Sequence, residues 1–178
     1  MKGFEMLNFK KIAVLLLCAA LAAAIISCGG KPTDEEASAA NAVELDIKKT
    51  AESITSATTF SGEMIELPDD YIALNYDIAD TAEIAVWSSG AATAEQVIVI
   101  KTKSGKTDEA KTSLDAWLSD QAAIYDDYAP DQAVLLRAAT VKTTGGYIIA
   151  VVSADLSGAE AAIEAAINAA AAEKAAAA

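Results

Sequence analysis

Apolar positions after residue 42 recur at helical spacing, which predicts a first helix. The apolar stripe runs from Val43 to Ile54. Asn41 precedes it, with Glu44 three residues further on, a pattern that resembles a capping box. We therefore predict a helix that begins at Asn41 and ends in the polar, β-branched run 55–59.

Short apolar runs bounded by turn residues predict strands. The segment 96–101 (QVIVIK) is continuously apolar in its middle, which is typical of a central strand in a sheet. The segment 147–153 (YIIAVVS) predicts a second buried strand, and the Thr144-Gly145-Gly146 turn before it is of hairpin type. Weaker patterns predict further strands at 60–67, 83–88 and 138–142.

Longer segments with the helical period alternate with these strands. The segment 107–125 places Leu114, Trp117 and Leu118 on one helix face. From Leu156 the chain is helical again, and its last turns are alanine-rich with little to bury, so they should fray. Two shorter pieces are a helical turn at 71–74 and a segment at 132–136 that is either helical or extended.

The order of these elements predicts the fold class. Strands come in adjacent pairs with links of hairpin length, which favours antiparallel pairing over crossover connections. We predict an α+β domain in which a largely antiparallel sheet of four to five strands packs against helices in a two-layer sandwich.

A different apolar run at the N-terminus predicts a targeting segment. Lysines precede an apolar run over 12–26, which is shorter than the roughly 20 residues that a membrane-spanning helix needs. The residues Ile25-Ile26-Ser27-Cys28 fit the processing site of a bacterial lipoprotein. Cys18 fits less well, because the bulky Leu17 precedes it. An uncleaved N-terminal anchor is the alternative interpretation.

Processing before Cys28 would define the layout of the chain. Residues 1–27 are then a signal peptide, residues 28–40 a lipidated N-terminus and flexible tether, residues 41–170 a single domain, and residues 171–178 a fraying tail. The diacylglyceryl group expected on Cys28 supplies two acyl chains, which is about what stable membrane anchoring requires. We therefore expect a protein anchored by lipid to the extracytoplasmic face of the cell membrane.

Composition narrows the chemistry that the domain can perform. The chain has no histidine, so imidazole acid–base catalysis and imidazole metal ligands are excluded. Its two cysteines are Cys18, inside the signal segment, and Cys28, which lipidation would consume, so no thiol chemistry remains. The net charge of −13 excludes nucleic acid as a partner. We expect no cofactor.

Acidic residues are the remaining source of catalytic or metal-binding groups. The pairs Asp69-Asp70 and Asp126-Asp127 lack the spacing of a calcium loop, so we expect helix capping or solvated charge rather than a metal site. Two facing carboxylates could hydrolyse a glycosidic bond, but such sites also need a deep cleft lined with aromatic residues. We predict no catalytic residue, and a carboxylate-dependent hydrolase of envelope glycans is the alternative.

Aromatic residues beside irregular backbone mark a candidate binding surface, since strand ends and loops often carry recognition residues. One stretch is Trp87-Ser88-Ser89 at a predicted strand end, and the other is the corner 125–130 with Tyr125 and Tyr128. Trp87 has a second interpretation as a core residue, and Tyr128 has a second interpretation as a residue that locks the corner.

Several short stretches occur in an order typical of one protein family. They are Tyr76-Asp77-Ile78, Ala82-Glu83, the run 86–91, the run 94–97, Val99-Ile100-Lys101, Tyr128-Ala129-Pro130, Ala139, Val141 and Gly146-Tyr147. In these stretches the chain resembles domain of unknown function family 4358, extracytoplasmic lipoproteins of Gram-positive bacteria. The resemblance covers roughly residues 42–170. It implies an extracytoplasmic domain of unassigned function and no catalytic or ligand residues to carry over.

These observations favour a binding domain over an enzyme. We predict a membrane-anchored extracytoplasmic lipoprotein that binds a partner at the cell envelope, either a protein or a small solute. Confinement to the membrane would raise the effective concentration of that partner. A solute receptor of the transport-system type is disfavoured, because one domain of this size lacks the usual two lobes. A concave aromatic pocket with two facing carboxylates would favour the hydrolase instead.

Overall fold

A five-stranded antiparallel sheet forms the centre of the domain in the computed structural model, which describes residues 43–90 and 93–177. The strands lie in the order β1-β2-β3-β5-β4. This confirms the predicted α+β class and the predicted antiparallel sheet. The strands are β1 (Ile65–Glu66), β2 (Thr81–Ser88), β3 (Gln96–Thr102), β4 (Thr140–Thr144) and β5 (Tyr147–Val152).

Five helices occur in the described part of the chain: one precedes the first strand, three lie between strands and one follows the last strand. The predicted signal segment and Cys28 lie outside the described residues. The helices are α1 (Ile47–Ala57), α2 (Asp69–Asn75), α3 (Thr107–Asp126), α4 (Pro130–Arg137) and α5 (Leu156–Ala177).

Helices cover both faces of the sheet, so the domain has three layers rather than the two that we predicted. On one face, α2, α3 and α4 pack over residues that include Val86 and Ile98. On the other face, α1 and α5 pack over residues that include Val97 and Ile149. The central residues of β3 and β5 are apolar at every position. Both alternating sets of side chains must therefore be buried, and one layer of helices covers only one set.

The first helix begins later than the predicted start at Asn41. The carboxylate of Asp46 accepts hydrogen bonds from the backbone amides of Lys48 and Lys49, both at 3.1 Å. These amides have no partner within the helix, so an acidic side chain at this position caps the helix directly. Glu44 precedes the helix and is exposed. The capping-box interpretation is therefore wrong, and Asp46 is the N-cap.

Most of the predicted strand at 60–67 is not paired in the sheet. Only Ile65 and Glu66 pair with β2, opposite Ser88 and Trp87. Of the residues before them, Phe60 and Met64 pack against the cluster under α1 and α5. The length of this strand is therefore corrected to two residues.

The segment at 132–136, which the sequence left either helical or extended, belongs to α4. Pro130 occupies the first turn of this helix, where its missing amide hydrogen costs nothing. Arg137 donates two hydrogen bonds to the carboxylate of Asp126, at 2.9 and 2.6 Å. This bidentate contact joins the end of α4 to the end of α3, beside Tyr125.

The hairpin between β4 and β5 turns at Gly145 and Gly146, as predicted. Both residues have positive φ, 52° and 87°, a conformation that glycine adopts without strain. The helix α5 continues to Ala177, and residues 171–177 are all exposed.

Candidate functional site

A pocket of about 360 Å³ opens on the face of the sheet that carries α2 and α3. Its volume lies within the roughly 300–1,000 Å³ that is typical of small-molecule sites. Four aromatic rings and a set of uncharged polar groups line it together. The lining residues are Leu67, Tyr71, Asn75, Tyr76, Ser88, Gly90, Thr93, Ala94, Gln96, Trp117, Gln121, Tyr125 and Leu136.

The end of α2 and the middle of α3 form one aromatic wall. The rings of Tyr76 and Trp117 stack with centroids 4.7 Å apart and an angle of 24° between their planes. The indole Nε1 of Trp117 donates to the backbone oxygen of Asn75 at 3.0 Å. Stacking and hydrogen bonding together hold the indole in one orientation, so this wall is pre-formed.

A buried amide, Gln96 at the start of β3, lies against this wall. The hydroxyl of Tyr76 donates to Oε1 of Gln96 at 2.9 Å. Burial raises the pKa of Tyr76 well above its ordinary value, so its hydroxyl stays a donor at any physiological pH. The Nε2 group of Gln96 makes no hydrogen bond to any described residue, although the side chain is only 6% exposed. An unused donor therefore lies at the pocket.

Tyr125 forms the opposite wall, near the end of α3. Its hydroxyl donates to the backbone oxygen of Thr93 at 3.2 Å, and its ring lies 5.1 Å from that of Tyr128. Burial, with Tyr128 alongside, raises the pKa of the Tyr125 hydroxyl. The backbone amide of Ala94 donates to Gln132 of α4 at 2.8 Å. These contacts tie the β2–β3 connection to both helices.

None of the lining residues that the structure describes carries a charge. Three further polar groups in the lining have no hydrogen bond to a described residue: the amide of Gln121, Oδ1 of Asn75 and the hydroxyl of Tyr71. With Nε2 of Gln96 they supply both donors and acceptors. The pocket is therefore suited to an uncharged ligand with hydrogen-bonding groups and an apolar face.

The residues predicted as a binding surface divide between three places. Ser88 and Tyr125 line the pocket, and the ring of Tyr128 lies tilted against that of Tyr125 with 64% of the residue exposed. Ser89 is half-buried and hydrogen-bonds to Thr93. Trp87 lies on the opposite face of the sheet, 8% exposed, in the cluster under α1 and α5. It occupies a core position, the second interpretation that its sequence context allowed.

A buried carboxylate, Glu95, braces the loop behind the pocket. It is 3% exposed and accepts from the backbone amide of Ser61 at 3.1 and 2.9 Å and from the Ser61 hydroxyl at 2.6 Å. The hydroxyl of Ser89 adds a fourth contact at 3.3 Å. Three consecutive residues thus make three separate contacts. Ala94 bonds to α4, Glu95 to the loop after α1, and Gln96 to Tyr76 at the pocket.

Sequence reasoning did not identify most of the pocket. Tyr71, Tyr76, Gln96 and Gln121 were not among the predicted binding residues, and Trp117 was assigned to the helix core. One available signal was the spacing of Trp117, Gln121 and Tyr125, which places polar and aromatic residues on one helix face at intervals of four.

The described residues hold no group of three or more acidic or cysteine side chains placed to bind a metal ion. Over residues 43–90 and 93–177, none of the helices has both the length and the apolar character needed to cross a bilayer.

One protein family matches this chain, the family described as domain of unknown function (DUF4358), over residues 56–153. The match covers more than half of the chain and spans all the strands and the pocket, so the chain belongs to this family. The predicted resemblance is confirmed. No curated protein and no solved structure gives a significant match.

Proposed function

We propose that this protein is an extracytoplasmic lipoprotein, anchored to the cell membrane through lipid on Cys28. The support is the sequence Ile25-Ile26-Ser27-Cys28 at the end of a short apolar run that follows lysines. The folded domain then works at the outer face of the membrane, where its ligand meets a high local concentration of binding sites.

We further propose that the domain binds a small uncharged solute in the aromatic pocket and catalyses no reaction. The carrying observation is the lining itself, in which aromatic rings and unpaired amide groups converge without a charged side chain. Amides such as Gln96 and Gln121 orient a ligand, and the rings bury its apolar face. A protein partner from the envelope could fill this pocket only by inserting one projecting side chain.

The hydrolase alternative lacks its central requirement at this site. Glycoside hydrolysis uses two carboxyl groups roughly 5–10 Å apart across the scissile bond. Among the lining residues that the structure describes there is neither an aspartate nor a glutamate. Glu95 is a buried acid between the lining residues Ala94 and Gln96 in sequence. Its carboxylate oxygens accept hydrogen bonds from Ser61 and Ser89. Binding is therefore the function that this pocket favours.

The anchor is tested with Cys28→Ala in the full chain. The unsubstituted protein should incorporate an alkyne-labelled fatty acid and fractionate with membranes, and the variant should incorporate none and keep the mass of its precursor. Labelling of the variant at an unchanged level would overturn the assignment of Cys28. Cys18→Ala is the matched control and should behave as the unsubstituted protein does.

The pocket is tested by screening neutral small molecules against the full chain with ligand-observed NMR. Binding should be lost in Gln121→Leu, which removes the amide but keeps the side-chain volume, and kept in Ser119→Ala on the exposed side of α3. Hits that respond equally to both variants would place the binding site elsewhere. A screen without any hit would contradict the proposed function.

A further inference from the structure

We propose that the pocket takes a neutral saccharide of about one or two rings. This rests on the proposed function and adds the chemical class of the ligand. A sugar ring combines an apolar C–H face with an edge of hydroxyl groups that both donate and accept hydrogen bonds. The pocket combines aromatic rings with unpaired amides in the same way.

The unused polar groups match hydroxyl groups in both directions. Nε2 of Gln96 can only donate, Oδ1 of Asn75 can only accept, and the amide of Gln121 can do both. A ligand with acceptors alone would leave Asn75 without a partner, and one with donors alone would leave Gln96 without one. Hydroxyl groups satisfy all three, because each donates one hydrogen bond and accepts others.

The aromatic rings favour stacking on a single face. Tyr76 and Trp117 stack on each other, 4.7 Å apart, and Tyr125 and Tyr128 lie 5.1 Å apart. Neither pair leaves room between its rings, so a planar base cannot be sandwiched within either pair. A sugar ring needs only one aromatic face, which this arrangement supplies at each wall.

The spacing of the walls fits a ligand with more than one ring. Trp117 and Tyr125 are eight residues apart on α3, about 12 Å at 1.5 Å per residue, with Gln121 midway. That distance is roughly the span of two linked sugar rings. An amide between two stacking surfaces is well placed for hydroxyl groups near a glycosidic linkage.

Charge limits the class to neutral sugars. None of the described lining residues is charged, and the chain as a whole carries a net charge of −13. A uronate or a sugar phosphate would lose its hydration there without gaining a cationic partner, which is costly. We therefore expect discrimination against acidic sugars of the same shape.

The experiment uses the full chain, purified from membranes in a detergent without a sugar headgroup, because such headgroups would compete. The neutral probes are glucose, N-acetylglucosamine, cellobiose and maltose, and glucuronic acid is the charged counterpart of glucose. Uracil and a cyclic dipeptide serve as neutral rings without hydroxyl groups. Binding is read by saturation-transfer NMR and titration.

The proposal expects at least one neutral saccharide to bind, with transfer strongest to its ring C–H protons. Gln121→Leu should weaken this binding about ten-fold or more, since hydroxyl groups are left without a partner. Ser119→Ala should leave it unchanged, and glucuronic acid should bind about ten-fold more weakly than glucose or not at all.

Three outcomes overturn the proposal, and they are distinguishable from failure of the proposed function. Binding of uracil or the cyclic dipeptide alone, lost in Gln121→Leu, would refute the saccharide and leave the pocket as a solute site. Binding of none of the probes would refute the saccharide, and the wider screen would then decide the proposed function. Saccharide binding that is unaffected in Gln121→Leu would also refute this site.

Discussion

The two tryptophans of the chain lie on opposite faces of the same sheet and have different surroundings. Trp87 is buried to 8% exposure in the cluster under α1 and α5. Trp117 of α3 is half-buried, stacks on Tyr76 at the end of α2 and lines the pocket. One face is closed by its helices, and the other is closed only in part. The aromatic pocket therefore lies on the face that carries α2 and α3.

On the closed face the central strands that the structure describes present no unpaired polar side chain in their middle. On the open face such side chains lie together at one end of the sheet. On the closed face β3 and β5 present valine and isoleucine to α1 and α5. On the open face the same strands are equally apolar in the middle. At one end, however, β3 begins with Gln96, and side-chain amides of α2 and α3 line the pocket beside it. The groups of Asn75, Gln96 and Gln121 that make no hydrogen bond to a described residue lie together at this pocket, an arrangement that suits a ligand-binding site.

The largest expected effect is on the free energy of unfolding, which should differ between alanine variants of the two tryptophans. Trp87→Ala should lower the free energy of unfolding by about 3–5 kcal/mol, because it opens a cavity in a closed core. Trp117→Ala should cost roughly half as much, since its ring already borders open space. Urea denaturation followed by far-UV circular dichroism measures both. Equal losses would show that the two faces are equally closed.

The second effect concerns the brace behind the pocket. Glu95→Ala should lower the free energy of unfolding by about 1–3 kcal/mol, because it removes the part-buried hydrogen bonds that hold Ser61. The matched control is Glu63→Ala, which removes an exposed carboxylate from the same loop region and should change little. Denaturation midpoints compare them. If Glu95→Ala is as stable as the control, Glu95 does not stabilise this loop.

The third effect is a pH dependence from Tyr76. Its pKa is raised by burial, so the folded protein keeps the proton where the unfolded chain, with a tyrosine pKa of about 10, loses it. This contribution to stability is complete below about pH 10 and is lost progressively above it. Tyr76→Phe should cost about 1 kcal/mol at pH 7 by removing the hydrogen bond to Gln96. It should also flatten the alkaline decline measured by denaturation from pH 8 to pH 11. An unchanged decline would contradict the role of Tyr76.

The smallest effect on stability belongs to the pocket amides. Gln121→Leu should leave the free energy of unfolding within about 0.5 kcal/mol of the original, because the amide has no described partner to lose. Gln96→Leu should cost more, since Tyr76 loses its acceptor. Thermal melts compare the two. A large loss in Gln121→Leu would mean that this residue supports the fold rather than a ligand.

The sequence predicted the elements of the sheet well because their apolar runs are strong. The runs at 96–101 and 147–153 became β3 and β5 with small shifts at their ends. The layer count was wrong for a related reason: a strand without alternation has two apolar faces, and the prediction assigned helices to only one. The predicted start of the first helix was too early, because it relied on a capping-box pattern at Asn41. The helix is capped instead by the carboxylate of Asp46.

The pocket could be predicted only in part, because its residues come together through tertiary contacts. Ser88 and Tyr125 were identified from irregular backbone, and both line the pocket. Trp117 lies on the apolar face of α3 and reads as core, since nothing in the helical period shows that Tyr76 covers it from α2. The amide of Gln96 has no sequence signal beyond its place at the start of a buried strand.

The most direct test of the account is the response of the two indole N–H signals to ligand. The full chain labelled with ¹⁵N-tryptophan gives one signal for Trp87 and one for Trp117, assigned with Trp87→Phe. On titration with the neutral saccharides, we expect the Trp117 signal to shift and saturate, because its indole lines the pocket and donates to Asn75 there. The Trp87 signal should stay in place. A shift confined to Trp87, or no shift of either signal at saturating saccharide, would contradict the account.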